Sequence, residues 1–99
     1  MKRSKLDEAE VSAAIAMLSG WSLRDGKLHR DFAFADFTHA FGFMAAAATV
    51  IQARDHHPEW SNVYGKVAID LVTHDAGGIT SLDVELARTL EGLAQKLLR

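Results

Sequence analysis

The densest group of side chains that could do chemistry is the run Asp55-His56-His57-Pro58. Imidazole titrates near neutral pH, so a histidine can donate or accept a proton during a reaction. The run follows a long predicted helix, and the partial negative charge at the carboxyl end of that helix favours a protonated imidazole at His56. Two adjacent histidines in a loop are often only solvated, so the pair alone does not identify a site.

Two further candidates lie beyond this run: His74 at the end of a predicted strand, and Asp83 in the first turn of the predicted last helix. Asp83 follows Thr80 by three residues, which is the spacing of a capping box whose carboxylate accepts free backbone N–H groups. Capping alone would explain Asp83 without any chemistry. Gly77-Gly78 before this helix is a weak phosphate-binding signal, because no Lys-Ser/Thr pair follows.

Short elements must position these candidates, and hydrophobic periodicity predicts their order. The pattern predicts helices at 7–18, 36–54 and 80–99, and strands at 21–24, 28–34, 60–64 and 66–74. Asp25-Gly26 is typical of a tight hairpin turn, and Pro58 ends the long helix because proline disfavours helical backbone in the preceding residue. The order α-β-β-α-β-β-α predicts one two-layer α+β domain, residues 1–99, with a four-stranded antiparallel sheet and its helices packed on one face.

The core is predicted from apolar spacing. In the long helix, one stripe is expected to lie on the sheet and consists of Phe37, Phe41, Met44/Ala45, Ala48 and Ile51. Four aromatic residues are expected to pack in the core: Trp21, Phe32, Phe34 and Phe41. His29 and His39 are expected to be ordinary surface or half-buried histidines.

Composition excludes several classes of protein. With 99 residues, 24% of them charged and a formal net charge of -2, the chain lacks the basic character of a direct nucleic-acid binder. It contains no cysteine, which rules out disulfides, thiolate metal sites and cysteine nucleophiles. The most apolar run, residues 41–53, is shorter than the roughly 20 residues of a membrane-spanning helix. Residues 1–8 are charged without an apolar stretch, so no secretory signal is expected and a cytoplasmic protein is predicted.

Along the chain, the candidates form one ordered pattern: RDHHPEWSNVYGKV at residues 54–67, then Thr73-His74, Gly78 and Asp83. This pattern resembles the signature of the pterin-4a-carbinolamine dehydratases, and the resemblance covers most of the chain. It implies dehydration of a 4a-hydroxytetrahydropterin to the quinonoid dihydropterin. That step recycles the pterin after an aromatic amino acid hydroxylase has used it, and it needs no metal or other cofactor.

The resemblance also implies roles for individual residues. His56 and His74 match the family's acid–base pair, and His57 matches a histidine linked to binding and to the alternative stereochemical course. Asp83 matches a carboxylate that supports the site. The resemblance leaves open which histidine is the acid and which is the base.

The residues that flank the histidines are implied to lie along the pterin: Asp55, Pro58, Thr73 and Asp75. One position departs from the family pattern. Animal members carry a glutamate four residues before the first histidine, and this chain has Gln52 there. A neutral amide cannot act as a base or change a neighbour's pKa through its charge, so the role of that carboxylate is in question here.

Assembly and alternative functions are also implied. A dimer, or two dimers joined through helices, would cover the unpaired edges of a small sheet. Animal relatives also serve as a dimerisation cofactor for a homeodomain transcription factor, and a role on molybdopterin-related compounds would use the same residues. A third alternative is a metal site in which two of His56, His57 and His74 join an aspartate. Adjacent residues in extended backbone point apart, which makes joint ligation by His56 and His57 awkward.

Overall fold

The computed structural model describes residues 4–98; residues 1–3 and 99, including the end of the predicted last helix, lie outside the described residues. Within that range the elements are α1 Glu8–Ala16, β1 Ser22–Arg24, β2 Lys27–Ala33, α2 Phe37–Arg54, β3 Glu59–Val63, β4 Lys66–Leu71 and α3 Ser81–Leu97. This order confirms the predicted α+β class. Across residues 4–98, none of the helices has both the length and the apolar character to cross a membrane.

The four strands form one antiparallel sheet in the order β1-β2-β4-β3. The predicted turn between β1 and β2 is confirmed, since Asp25 and Gly26 both adopt positive φ, at 52° and 76°. Alternate residues of β2 and β4, such as Phe32 and Ile69, are buried beneath the helices. The residues between them, such as Asp31, lie on the opposite face of the sheet, which the helices leave uncovered.

The predicted face of α2 is wrong at its amino end and is confirmed at Ile51, which is buried. Phe37 and Phe41 are 52% and 56% exposed, and the other buried positions are Ala40, Phe43 and Ala47. Both sets recur at helical spacing, and α2 is apolar on nearly every side, so periodicity could not choose between its faces. Phe43 decides the orientation by packing on Phe34, with ring centroids 5.2 Å apart.

The other predicted core aromatics are confirmed, because Trp21, Phe32 and Phe34 are all buried. Trp21 also donates its indole N–H to Glu91 of α3, at 2.8 Å. The same carboxylate accepts from Arg30 of β2, at 2.9 Å. This shared acceptor fastens α3 to the sheet and to the loop before β1.

The connection between β4 and α3 differs from its prediction. β4 ends at Leu71, and Thr73 then pairs with Gly78 in an isolated β-bridge. Between those two residues, His74–Ala76 forms one turn of 3₁₀ helix. His74 therefore begins a tight loop and does not end the strand.

Candidate active site

His56 is positioned by the end of α2. Asp55 terminates the helix in the left-handed conformation, with φ of 50°, and its N–H donates to carbonyls of the last turn. The chain then turns through Pro58 into β3, which confirms the predicted helix end. The imidazole of His56 is directed at the amino end of α3 and is only 13% exposed.

The imidazole of His56 contacts Asp83, whose side chain is fully buried. Nε2 of His56 lies 2.6 Å from Asp83 Oδ1. The other oxygen, Oδ2, accepts from the hydroxyl of Thr73 at 2.8 Å and from the backbone N–H of Thr80 at 2.9 Å. A buried carboxylate is tolerated only when hydrogen bonds replace its water, and these donors do so.

Asp83 therefore has two structural tasks. The predicted capping box is confirmed, since Thr80 and Asp83 exchange hydrogen bonds at the start of α3. The capping interpretation did not foresee the contact with His56, because that partner lies 27 residues earlier. Thr80 was treated only as a cap, yet it is fully buried and its hydroxyl lies 2.8 Å from that of Thr73.

The contacts of Asp83 also indicate which nitrogen of His56 is free. Thr73 and Thr80 both donate to the carboxylate, so it acts as an acceptor toward His56 as well. Nε2 then carries the hydrogen, and Nδ1 remains to exchange a proton with a bound molecule. A carboxylate partner that orients an imidazole in this way is a common feature of acid–base sites.

His74 also contacts a carboxylate through Nε2, which lies 3.1 Å from Glu59 Oε2. Its side chain is 76% exposed, far more than that of His56. Glu59 in turn accepts from the ammonium of Lys27 at 2.6 Å, across the intervening strand β4. This hydrogen bond from Lys27 is the main reason that the pKa of Glu59 lies below its usual value, and it also raises the pKa of Lys27.

The remaining predicted site residues are more open. His57 and Asp55 are exposed, and Nε2 of His57 lies 3.7 Å from Asp55 Oδ1, which is a loose ion pair. Asp75 is exposed in the loop after His74, and Pro58 is half-buried. The structure thus brings both His56 and Thr73 into contact with Asp83, whereas the ring of His74 contacts Glu59.

Gln52, at the position of the family's glutamate, is exposed in the last turn of α2. Among residues 4–98, no three histidine, aspartate or glutamate side chains are grouped so as to hold a metal ion. The two-histidine, one-carboxylate alternative therefore gains no support from the geometry.

The two histidines outside the pattern have structural partners. His39 is half-buried and contacts the N-cap residue Asp36 at 2.6 Å, which confirms its interpretation as an ordinary histidine. His29 was expected at the surface or half-buried but is buried. Its Nδ1 lies 2.8 Å from Asp70, and its Nε2 lies 2.9 Å from Asp31 and 3.2 Å from a guanidinium nitrogen of Arg24.

The contacts of His29 with Asp31 and Asp70 make the free energy of unfolding depend on pH. Burial by itself lowers the pKa of His29, but the hydrogen bonds to Asp31 and Asp70 outweigh burial and raise it above 6.5. The stabilisation is complete below pH 6.5 and is lost as the pH rises through the higher pKa of the folded state. We expect the difference in unfolding free energy between the parent and His29→Gln to shrink from about pH 5 to about pH 9. Urea denaturation measures this, and a difference that grows with pH would contradict it.

Comparisons with known proteins place this geometry in a family. The family model described as pterin 4 alpha carbinolamine dehydratase matches residues 4–93. A candidate pterin-4-alpha-carbinolamine dehydratase of Solibacter usitatus (strain Ellin6076) is 55% identical over 91 residues, which cover 92% of this chain and 96% of the relative. A Rhizobium etli relative described in the same way is 46% identical and is matched over the whole of both chains.

A solved structure gives the same result. The crystal structure of a transcriptional coactivator/pterin dehydratase from Brucella melitensis superposes with a TM-score of 0.89 and 44% identity. The match covers 92% of this chain and 99% of that chain. Sequence and fold agree over nearly all of the molecule, and the chain belongs to the pterin-4a-carbinolamine dehydratase family.

Proposed function

We propose that this protein dehydrates 4a-hydroxytetrahydropterins to quinonoid dihydropterins by histidine acid–base catalysis. The observation that carries the proposal is the anchored imidazole of His56, which Asp83 holds through Nε2 at 2.6 Å, while Nδ1 has no hydrogen-bond partner among residues 4–98. His74 lies one residue beyond Thr73, which itself binds Asp83. Membership of the family supports the substrate class, and the anchored imidazole supports the chemistry.

The reaction needs one proton donor and one proton acceptor. The bond between C4a and its hydroxyl breaks as a protonated imidazole donates to the departing oxygen, and water leaves. N5 of the pterin loses its proton to the second imidazole, and the electron pair of that N–H bond forms the new double bond to C4a. We assign these two tasks to His56 and His74, because imidazole can perform either one near neutral pH.

The other site residues receive supporting roles in this proposal. Exposed His57 contacts the pterin and contributes to binding, and Asp55, Pro58 and Asp75 lie along the substrate. Thr73 acts through Asp83, since its hydroxyl already donates to that carboxylate. Gln52 takes no part in proton transfer, because an amide does not titrate. In the cell, the reaction would serve pterin recycling after an aromatic amino acid hydroxylase.

A direct assay tests this proposal. We expect purified protein to accelerate the conversion of freshly generated 4a-hydroxytetrahydropterin, followed by the absorbance of the quinonoid product. Because imidazoles move both protons, turnover should persist after dialysis against a strong chelator. The matched control is the His56→Ala/His74→Ala double variant, treated identically. Loss of turnover on chelation and recovery with zinc or iron would contradict the imidazole mechanism.

We also propose that the protein assembles as a dimer or as a pair of dimers. Strands β1 and β3 form the two edges of the sheet, and exposed edges favour pairing with another chain. Phe37 and Phe41 form an exposed aromatic pair on α2, with ring centroids 5.6 Å apart. We expect light scattering after size-exclusion chromatography to give twice or four times the monomer mass. A monomer mass at micromolar concentration would contradict this.

A second candidate function is protein binding, which the description of the Brucella melitensis relative as a transcriptional coactivator/pterin dehydratase favours. The exposed Phe37 and Phe41 lie at the start of α2, whereas His56 follows its other end. The His56→Ala/His74→Ala double variant separates the candidates. A purely catalytic protein loses its activity in this variant, whereas a protein-binding function survives and is lost in Phe37→Ala/Phe41→Ala.

A further inference from the structure

His74 is the most exposed member of the proposed acid–base pair, and its orientation depends on Glu59. Within residues 4–98, Glu59 is the hydrogen-bond partner that the structure gives to the His74 ring. A side chain that is 76% exposed otherwise samples several rotamers, and such freedom is costly for proton transfer. A reacting imidazole at this position needs a partner that is itself held in place.

Glu59 is held from two directions. It is the first residue of β3, where its backbone is in register with Asp70 of β4. Its two carboxylate oxygens are divided between partners: Oε1 accepts from Lys27 at 2.6 Å, and Oε2 faces His74 at 3.1 Å. Lys27 is the first residue of β2, so the carboxylate is fixed by two strands of the sheet.

The contact on His74 repeats the contact on His56. In both histidines, Nε2 faces a carboxylate, and Nδ1 is the nitrogen left for the reaction. The two carboxylates differ in their surroundings. Asp83 is buried and accepts hydrogen bonds from neutral donors, whereas Glu59 is 46% exposed and forms an ion pair with Lys27. Of the two histidines, His56 is therefore held by a buried carboxylate, and His74 is held by an exposed one on the uncovered face of the sheet.

We propose that Glu59, held by Lys27, is a positioning residue that orients His74 through its Nε2–H group and leaves Nδ1 as the reacting atom. The inference rests on the proposed dehydration, in which His74 exchanges a proton with the pterin. It assigns Lys27 a part in the site, although this residue lies outside the family pattern of residues 54–83. Both residues act through His74 and contact no reacting atom.

The central experiment is a double-mutant cycle between Glu59 and His74. We expect Glu59→Ala to lower kcat by about 10-fold, less than loss of an acid–base group itself, with KM within about two-fold of the parent. In the His74→Ala background, Glu59→Ala should have no further effect, because the residue that it orients is gone. Equal losses with and without His74 would overturn the proposal.

Lys27→Met tests whether the contact of Lys27 with Glu59 contributes to the orientation of His74. It should lower kcat in the same direction as Glu59→Ala but by a smaller factor, because the carboxylate remains and only its fixation is lost. Lys66→Met is the matched control. Lys66 pairs with Val63, at the end of β3 that is opposite to Glu59, so its replacement should leave kcat unchanged. Equal kcat values for Lys27→Met and Lys66→Met would remove Lys27 from the proposal.

A second readout does not depend on activity. NMR relaxation of the His74 ring Cε1–H bond should show greater motion in Glu59→Ala than in the parent, while Lys66→Met should not change it. An unchanged ring order in Glu59→Ala overturns the positioning role. If the parent fails to dehydrate the pterin but the ring still loosens in Glu59→Ala, the proposed function fails and the orienting contact stands.

Discussion

Replacing His56 or His74 with alanine is expected to lower kcat for carbinolamine dehydration by roughly 10²-fold or more, the usual effect of losing one proton-transfer group. Water must then supply or accept the proton, and water is not held at the reacting atom. The fold should survive in both variants. Asp83 keeps its bonds to Thr73 and Thr80 without His56, and His74 is largely exposed. Steady-state kinetics measure the effect, with circular dichroism to confirm folding.

The control for this series is His39→Ala, which should leave kcat/KM within a few-fold of the parent. Within residues 4–98, the hydrogen-bond partner of the His39 ring is Asp36, the N-cap of α2. His29 is unsuitable as a control, since it is buried between two carboxylates. His57→Ala should raise KM more than it lowers kcat, as expected for an exposed binding residue. Equal losses in all of these variants, or full activity in the His56→Ala/His74→Ala double variant, would contradict the assignment.

The features that could be predicted from sequence are those with local causes. The turn at Asp25-Gly26, the helix end before Pro58 and the capping box at Thr80 each depend on a few neighbouring residues. Such signals give the order of the elements, and a short antiparallel order of this kind leaves few arrangements of the sheet. The fold class followed from them directly.

The features that escaped prediction depend on contacts between distant segments. The face of α2 is chosen by the packing of Phe43 on Phe34, which the near-uniform apolar sequence of the helix does not indicate. The contact of Lys27 with Glu59 requires the strand order in which β4 lies between β2 and β3. Burial of His29 has the same origin, because its partner Asp70 lies on another strand. The hydrogen bond between His56 and Asp83 could be suspected only through the resemblance.

Asp83→Asn is expected to separate the catalytic task of this residue from its structural one. The amide oxygen can still accept from Thr73 and Thr80, so the amide N–H₂ must face Nε2 of His56 and donate to it. The neutral ring of His56 must then carry its hydrogen on Nδ1 and cannot accept a proton there as a base. The protonated ring that an acid needs is also disfavoured, because its Nε2–H would face the amide N–H₂. We expect kcat to fall by about 10²-fold or more for this reason. Loss of charge-assisted hydrogen bonds should cost about 1.5–3 kcal/mol of unfolding free energy, measured by urea denaturation.

The matched control is Glu10→Gln in the capping box of α1, where Glu10 accepts from the backbone N–H of Asp7 at 3.0 Å. Both carboxylates occupy the third position of a helix, but Glu10 is exposed, and within residues 4–98 it bonds to Asp7 and not to a histidine. This substitution should cost only about 0.5 kcal/mol and leave kcat unchanged, because the amide oxygen of glutamine still accepts from Asp7 and only the charge is lost. Nitrogen NMR of the His56 ring should show the hydrogen moving from Nε2 to Nδ1 in Asp83→Asn alone. If Asp83→Asn proves as mild as Glu10→Gln, Asp83 is only a cap and the anchored-imidazole mechanism is wrong.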